Sequence, residues 1–296
     1  MQTGKPENFD QGVYDLFDKY VHGDIDRRGF LDGAGKFTVG GMTAAMMLDA
    51  LTPRFAEAQQ VAKDDKRLVA EYVEYPSPNG NPKMRGYLVR PAGKKDKLPG
   101  VLVVHENRGL NPHIEDMARR VALDGFMAFA PDALFPLGGY PGDEDKAREL
   151  FPKLDQAKTR EDFVAAAGWL KSRSDCTGKV AVVGFCYGGS ISNMLATRVP
   201  DLSGAVPFYG GQPSVDEVKN IKCPLLIHYA EKDERIAAGW PAYEEALKAN
   251  KVRYEAFVYP GTQHGFNNDT TPRYDKAAAD LAWKRTIEFF QKNLKG

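Results

Sequence analysis

From Val69 onward the chain alternates between two hydrophobic rhythms. Val69–Tyr75 and Met84–Arg90 read as two strands, joined by the turn-rich run Pro76-Ser77-Pro78-Asn79-Gly80. Val101–His105, Phe126–Ala130 and Val180–Val183 are short unbroken apolar runs, the pattern of strands buried on both faces. Gly204–Tyr209 and Leu225–Tyr229 add two short strands, and Val252–Tyr259 closes the series with alternating apolar positions. Helical spacing separates them. Pro112–Leu123 puts Ile114, Met117, Ala118 and Val121 on one face, with Gly125 as a stop. Asp162–Leu170, Ile191–Val199 and Tyr243–Ala249 read as further helices, and the closing helix aligns Trp283, Ile287, Phe290 and Leu294. A hairpin followed by repeated strand–helix units predicts an α/β domain. Its sheet is mainly parallel and doubly wound, with about eight strands and helices on both faces.

Residues 1–60 lack this rhythm and read as a separate segment, leaving 61–296 as one domain. Tyr14–Tyr20 has the pattern of a short amphipathic helix. Asp26-Arg27-Arg28-Gly29-Phe30-Leu31 resembles a twin-arginine export motif. A mildly apolar stretch, Val39–Leu48, and a small-x-small pattern, Ala56-Glu57-Ala58, follow it. Asp26 and Asp32 beside the arginines, Asp49 at the apolar stretch, and a long mixed-charge lead-in argue against export. Two readings therefore stand: a segment cleaved after Ala58 on the way to the periplasm, or a retained helical arm. The arm would pack on the main domain or, in a homodimer, on a second copy.

Composition narrows the partners. The 296 residues are 43% apolar, enough for a large core, and 40 basic residues balance 40 acidic ones. That balance gives no global electrostatic case for nucleic acid or an anionic membrane, and no apolar run reaches the length of a membrane span. Three cysteines, Cys176, Cys186 and Cys223, are too few and too odd in number for a disulfide framework.

The chemistry gathers at strand ends. Gly184-Phe185-Cys186-Tyr187-Gly188-Gly189 sits between a strand and a helix, with glycine two residues either side of Cys186. This is the setting of a nucleophile elbow, and a helix N-terminus beneath a thiol lowers its pKa. A small buried cysteine, or a phosphate-binding turn of imperfect spacing, are the other readings. The order of further candidates favours the nucleophile. Asp233, competing with Glu231 and Glu234, follows the Leu225–Tyr229 strand, and His264 follows the last strand. A thiol needs an imidazole to take its proton, and that imidazole needs a carboxylate to fix its tautomer. His228 lies inside an apolar strand and reads as core; no histidine pair has zinc spacing.

Val104-His105-Glu106-Asn107-Arg108-Gly109-Leu110, the elbow, Glu231-Lys232-Asp233 and His264-Gly265-Phe266 together resemble the dienelactone hydrolase (carboxymethylenebutenolidase) family of the α/β-hydrolase superfamily. The resemblance runs from about Val69 to the C-terminus and implies an α/β-hydrolase fold with a helical N-terminal arm added. It implies hydrolysis of an ester or lactone by a Cys186–Asp233–His264 triad through a thioester, with no metal or organic cofactor. It also implies that Glu106 quiets the resting cysteine and later takes the thiol proton. The backbone N–H groups of Asn107 and Tyr187 would then form the oxyanion hole. Read from the residues alone, Glu106 is either functional or a salt-bridge partner of Arg108.

One position departs from the family. Where dienelactone-cleaving members carry a carboxylate-clamping arginine, four residues after the histidine, this chain has Asn268, with Arg273 nearby. Substrate contacts are expected from Arg108, Asn268 and Tyr140, the last in the Leu134–Pro141 loop. A thioesterase or acyl transferase on the same triad, and a binding protein with an inert triad, are the competing functions.

Overall fold

The computed structural model describes residues 9–38 and 42–296. Four helices come first: α1 (Gln11–His22), α2 (Arg27–Ala34), α3 (Ala44–Leu51) and the single turn α4 (Phe55–Ala58). The hairpin β1 (Leu68–Pro76) and β2 (Lys83–Pro91) leads to β3 (Leu98–Val104), α5 (Pro112–Leu123) and β4 (Met127–Pro131). Helices α6 (Glu144–Leu150) and α7 (Gln156–Ser172) precede β5 (Cys176–Phe185), α8 (Tyr187–Arg198) and β6 (Gly204–Phe208). The chain closes with β7 (Leu225–Lys232), α9 (Glu234–Ala237), α10 (Trp240–Ala249), β8 (Tyr254–Gln263) and α11 (Lys276–Phe290).

The eight strands form one sheet in the order β1-β2-β4-β3-β5-β6-β7-β8. Only the β1–β2 and β2–β4 pairings are antiparallel; from β4 to β8 every neighbour is parallel. The unbroken apolar runs have their explanation in the packing. Leu102 and Val104 of β3 face one core, while Val101 and Val103 face the other. Strand β5 splits likewise, with Val180 and Val182 on the first face and Ala181 and Val183 on the second. A strand with helices on both faces has no solvent side on which polar residues could alternate.

Several boundaries differ from the sequence pattern, two of them for reasons visible in the packing. The helix expected from Ile191 begins at Tyr187, directly after the elbow. Gly188 reads as a turn in sequence, yet its place in the helix follows from crowding: a Cβ there would stand 2.2 Å from the Val104 carbonyl oxygen. The closing helix ends at Phe290, and its last turn widens into a π-type turn, Gln291–Lys295, which buries Leu294.

The N-terminal segment forms its own small core. The Asp10 side chain caps α1 by accepting from the Gly12 N–H at 2.8 Å, and Gly23 ends the helix with φ 86°. Helix α1 runs three residues past Tyr14 upstream and two past Tyr20 downstream of the expected span. Val13, Phe17, Tyr20, Phe30, Ala34, Met47, Leu48 and Leu51 bury against one another. The twin-arginine pair opens α2, with Arg27 Nη1 3.2 Å from Asp145 Oδ2 and Arg28 exposed. Val39, Gly40 and Gly41, where the apolar stretch begins, lie outside the described residues. The segment packs on its own chain. Asn107 Nδ2 donates to the Val21 carbonyl at 2.7 Å, and the Arg54 N–H donates to the Thr270 carbonyl at 2.8 Å.

Candidate active site

Strand β5 ends at Phe185, α8 begins at Tyr187, and Cys186 alone makes the reversal. Its φ of 55° and ψ of −110° are strained for a residue with a side chain, at a cost of about 1–3 kcal/mol. Neighbouring structure enforces it. The Cys186 N–H donates to the Phe208 carbonyl at 3.1 Å, and a Cβ on Gly184 would stand 2.0 Å from the Gly188 carbonyl oxygen. Only glycine fits at that position, so the sulfur is left half-buried at the carboxyl edge of the sheet.

His264 follows β8 and Asp233 follows β7, so parallel pairing of these two strands brings the residues together. The buried Asp233 Oδ2 lies 2.6 Å from His264 Nδ1. The carboxylate thus holds the proton on Nδ1 and leaves Nε2 free. Nε2 is buried and has no hydrogen-bond partner among the described residues. Burial works against charge on this imidazole, but the cysteine beside it and the bond to Asp233 push its pKa up to about 10. For Cys186, burial pushes the thiol up, while His264 and His22 more than offset that and bring it to about 6.

His22 was not singled out from sequence. It ends α1, and its Nε2 lies 3.4 Å from Cys186 Sγ. The only signal available was the Asp18–His22 spacing, four residues apart on one face of the predicted helix. One ring nitrogen from each of His22 and His264 and the Cys186 sulfur lie within 4.8 Å of one another. Two imidazoles and a thiolate with an open fourth position have the donor types of a zinc site. Two of these three, the Cys186 sulfur and the His264 ring nitrogen, are also atoms that a cysteine–histidine–carboxylate triad would use.

Glu106 and Asn107 lie just past β3, with Glu106 only partly buried. Glu106 Oε2 accepts from Asn268 Nδ2 at 2.8 Å, and Arg108 pairs instead with Glu144 at 3.8 Å. Asn268 Oδ1 further accepts from Thr270 Oγ1 at 2.5 Å, so its amide is engaged at both ends. Tyr187 is the first residue of α8, so its N–H has no partner within that helix. Buried His105, pushed down to about 4 by desolvation, stays neutral and accepts from the Ala133 N–H at 3.1 Å. His228 sits deep in the core, with Nε2 3.2 Å from Thr286 Oγ1 and Nδ1 2.9 Å from the Tyr259 hydroxyl.

A cavity of about 390 Å³ opens above the sulfur. The main domain supplies Glu106, Asn107, Arg108, Tyr140, Asn268 and Arg273 to its wall. The arm supplies Phe17, Tyr20, Val21, His22, Leu48 and Phe55. Arg273 is tied to the arm, with Nη1 3.5 Å from Asp18 Oδ1 and its guanidinium 5.0 Å from the Phe17 ring.

A sheet of this order, with an elbow and a histidine–carboxylate pair at its carboxyl edge, defines an α/β-hydrolase. Sequence comparison narrows the class. The profile of the Dienelactone hydrolase family matches residues 84–294, and a separate profile described as YqhI-like matches residues 1–37. The chain belongs to the dienelactone hydrolase family, hydrolases that act on ester or lactone bonds. Among its relatives is a "Putative carboxymethylenebutenolidase" of Escherichia coli K12, 32% identical over 246 residues, covering 78% of this chain and 90% of that protein. A "Putative hydrolase fragment YghX" of the same organism is 58% identical over 114 residues, 38% of this chain and 97% of the fragment. A solved structure titled as a dienelactone hydrolase of Klebsiella pneumoniae, marked putative there, aligns with a TM-score of 0.67 at 30% identity. It covers 76% of this chain and 99% of its own, so about a quarter of this chain has no counterpart in it.

Proposed function

We propose that the chain is a cysteine hydrolase of small esters or lactones, working through Cys186, His264 and Asp233 and a thioester acyl-enzyme. The observation that carries this is the 2.6 Å Asp233–His264 contact, whose free Nε2 shares the cavity floor with a strained, half-buried thiol. In the proposed cycle the thiol proton leaves sulfur for an imidazole, and the sulfur electron pair attacks the substrate carbonyl carbon. The carbonyl π pair moves to oxygen, where the backbone N–H groups of Asn107 and Tyr187 receive it. Collapse expels the alkoxide, which takes a proton from the imidazolium. His264 then removes a proton from water, whose oxygen attacks the thioester and releases the thiolate.

Glu106, partnered by Asn268, borders the cavity within one residue of the proposed oxyanion donor. In this reading it is a charged wall near the thiol rather than its resting partner. Arg108 is engaged by the Val21 carbonyl at 3.1 Å and by Glu144, which makes it a positioning group for the arm. Tyr140, whose hydroxyl donates to Glu144 at 3.0 Å, and Arg273, paired with Asp18, are among the polar groups on the cavity wall that substrate would meet. Asn268 gives one amide N–H to Glu106 and its oxygen to Thr270, and it lacks the charge with which an arginine clamps a substrate carboxylate. We further propose that residues 1–60 stay on the mature protein, because a large part of the cavity wall comes from them.

The test is acyl trapping. Native protein mixed with a chromogenic acetate ester and quenched early should carry one acetyl group on Cys186 by peptide mass analysis. Turnover without any acyl adduct on that residue would contradict the thioester route. Comparing lactone, ester and thioester turnover then fixes the preferred bond.

A further inference from the structure

The arm brings a second histidine to the nucleophile. Besides its 3.4 Å contact with Cys186 Sγ, His22 has Nδ1 2.7 Å from the Asp18 carbonyl oxygen and 3.4 Å from its carboxylate. A proton on Nδ1 therefore leaves Nε2 to face the sulfur. His264 is set up in the same way, with Asp233 on Nδ1. The two rings flank the thiol with centroids 5.1 Å apart and planes 78° apart. His22 Nε2 lies within hydrogen-bond distance of the sulfur, and His264, whose Nε2 has no partner that close among the described residues, also stands near enough to lower the thiol's pKa.

We propose that His22 is a further catalytic residue: it holds the proton of the Cys186 thiol in the resting enzyme, as the imidazolium partner of the thiolate. The proposal rests on the cysteine-hydrolase reading and makes the arm part of the active site. The thiol proton moves to His22 Nε2, leaving the electron pair on sulfur. After acylation the departing alkoxide takes that proton, and His22 is neutral. In deacylation His264 takes one water proton and the product acid keeps the other. The proton on His264 then passes to the released thiolate–His22 pair, which restores the resting state. His264, charged while the thiolate stands beside it, gives its own proton to solvent once the thioester forms and regains one when the thiolate returns; between the two it is the base for water.

The groups around His22 fit this role. Asp18 on its own helix and Cys186 at the elbow both favour a charged ring, and together they push His22 up to about 9 against burial. Opposing them are His264 and, from α9, Arg235, whose Nη2 donates to His22 Nε2 at 3.0 Å and must swing aside when that nitrogen takes the thiol proton. Arg235 is nearly half exposed and so is screened, and its Nε also lies 3.9 Å from the Asp18 carboxylate. Arg273, from the loop after β8, lies 3.5 Å from Asp18 and fixes that carboxylate, which is the positioning residue for His22. Arg108 and Glu106 complete the wall on the β3 side.

The experiment is the pH dependence of iodoacetamide alkylation of Cys186 in the full chain, located by peptide mass analysis, for native protein and His22→Asn. Cys223, which burial pushes up to about 12, and buried Cys176 do not compete. The native profile should have its midpoint near 6. Loss of a cation in contact with a thiolate should raise that midpoint by about 1–3 pH units. Ester hydrolysis by His22→Asn should fall, mostly in kcat. Asp18→Asn should move the midpoint the same way by less, and it serves if His22→Asn does not fold. An unchanged alkylation profile in both variants overturns the proposal. So does faster hydrolysis by His22→Asn, which would make the arm a plug. Alkylation needs no substrate, so failure of the cysteine-hydrolase reading would appear separately, as turnover that survives loss of the thiol.

Discussion

Replacing Asp233 by asparagine removes one charge from a buried pair and leaves its shape. The carboxylate now accepts from His264 Nδ1 at 2.6 Å, and both side chains are about 5% exposed, so water cannot take over the bond. A charge-assisted hydrogen bond of this kind is worth about 1.5–3 kcal/mol. Its loss alone predicts a fall in kcat/KM of about 10- to 100-fold. A second loss follows from the amide. If the introduced side chain turned its NH₂ toward Nδ1, the imidazole proton would move to Nε2, and no lone pair would face sulfur or water. The fall would then approach about 10⁴-fold. Asp233 does not line the cavity, so KM should change little. The assay is steady-state hydrolysis of a chromogenic ester, with circular dichroism as the check on folding. A loss of less than about fivefold in a folded variant would refute the assignment of Asp233 as the orienting carboxylate.

Two further outcomes follow. Activity needs a thiolate with a protonated imidazole beside it, so kcat/KM should rise as pH passes about 6 and fall again above about 9, where His22 and then His264 lose their protons; an acidic limb above pH 8 would contradict the account. Phe30→Ala empties the centre of the arm's core, where Phe30 is fully buried against Phe17 and Tyr20, and should cost about 3–5 kcal/mol of arm stability. Denaturant unfolding and tryptic cleavage at Arg27 or Arg28 would measure it, and hydrolysis should fall with the arm's detachment; a variant as protease-resistant as the native chain would contradict the arm's independent core.

The main domain was readable in sequence because its strands carry the signal twice over. Buried β3 and β5 show as unbroken apolar runs, and each candidate triad residue stands directly after a strand's carboxyl end. Cys186 was marked by glycines that backbone crowding demands, and His264 by its place after the last strand. His22 had no such marker. It meets Cys186 across 164 positions of chain, and the contact depends on how a separately folded arm docks. Asn268 shows a different limit. Its sequence position is that of a substrate clamp, whereas its amide is bonded to Glu106 and Thr270, a pairing with no local pattern to announce it.

The central claim is that Cys186 performs the hydrolysis. It is tested most directly by ester turnover across pH for native protein and Cys186→Ala, both shown to be folded. The account predicts turnover in the native chain that disappears in the variant at every pH. Equal rates in the two proteins would contradict it.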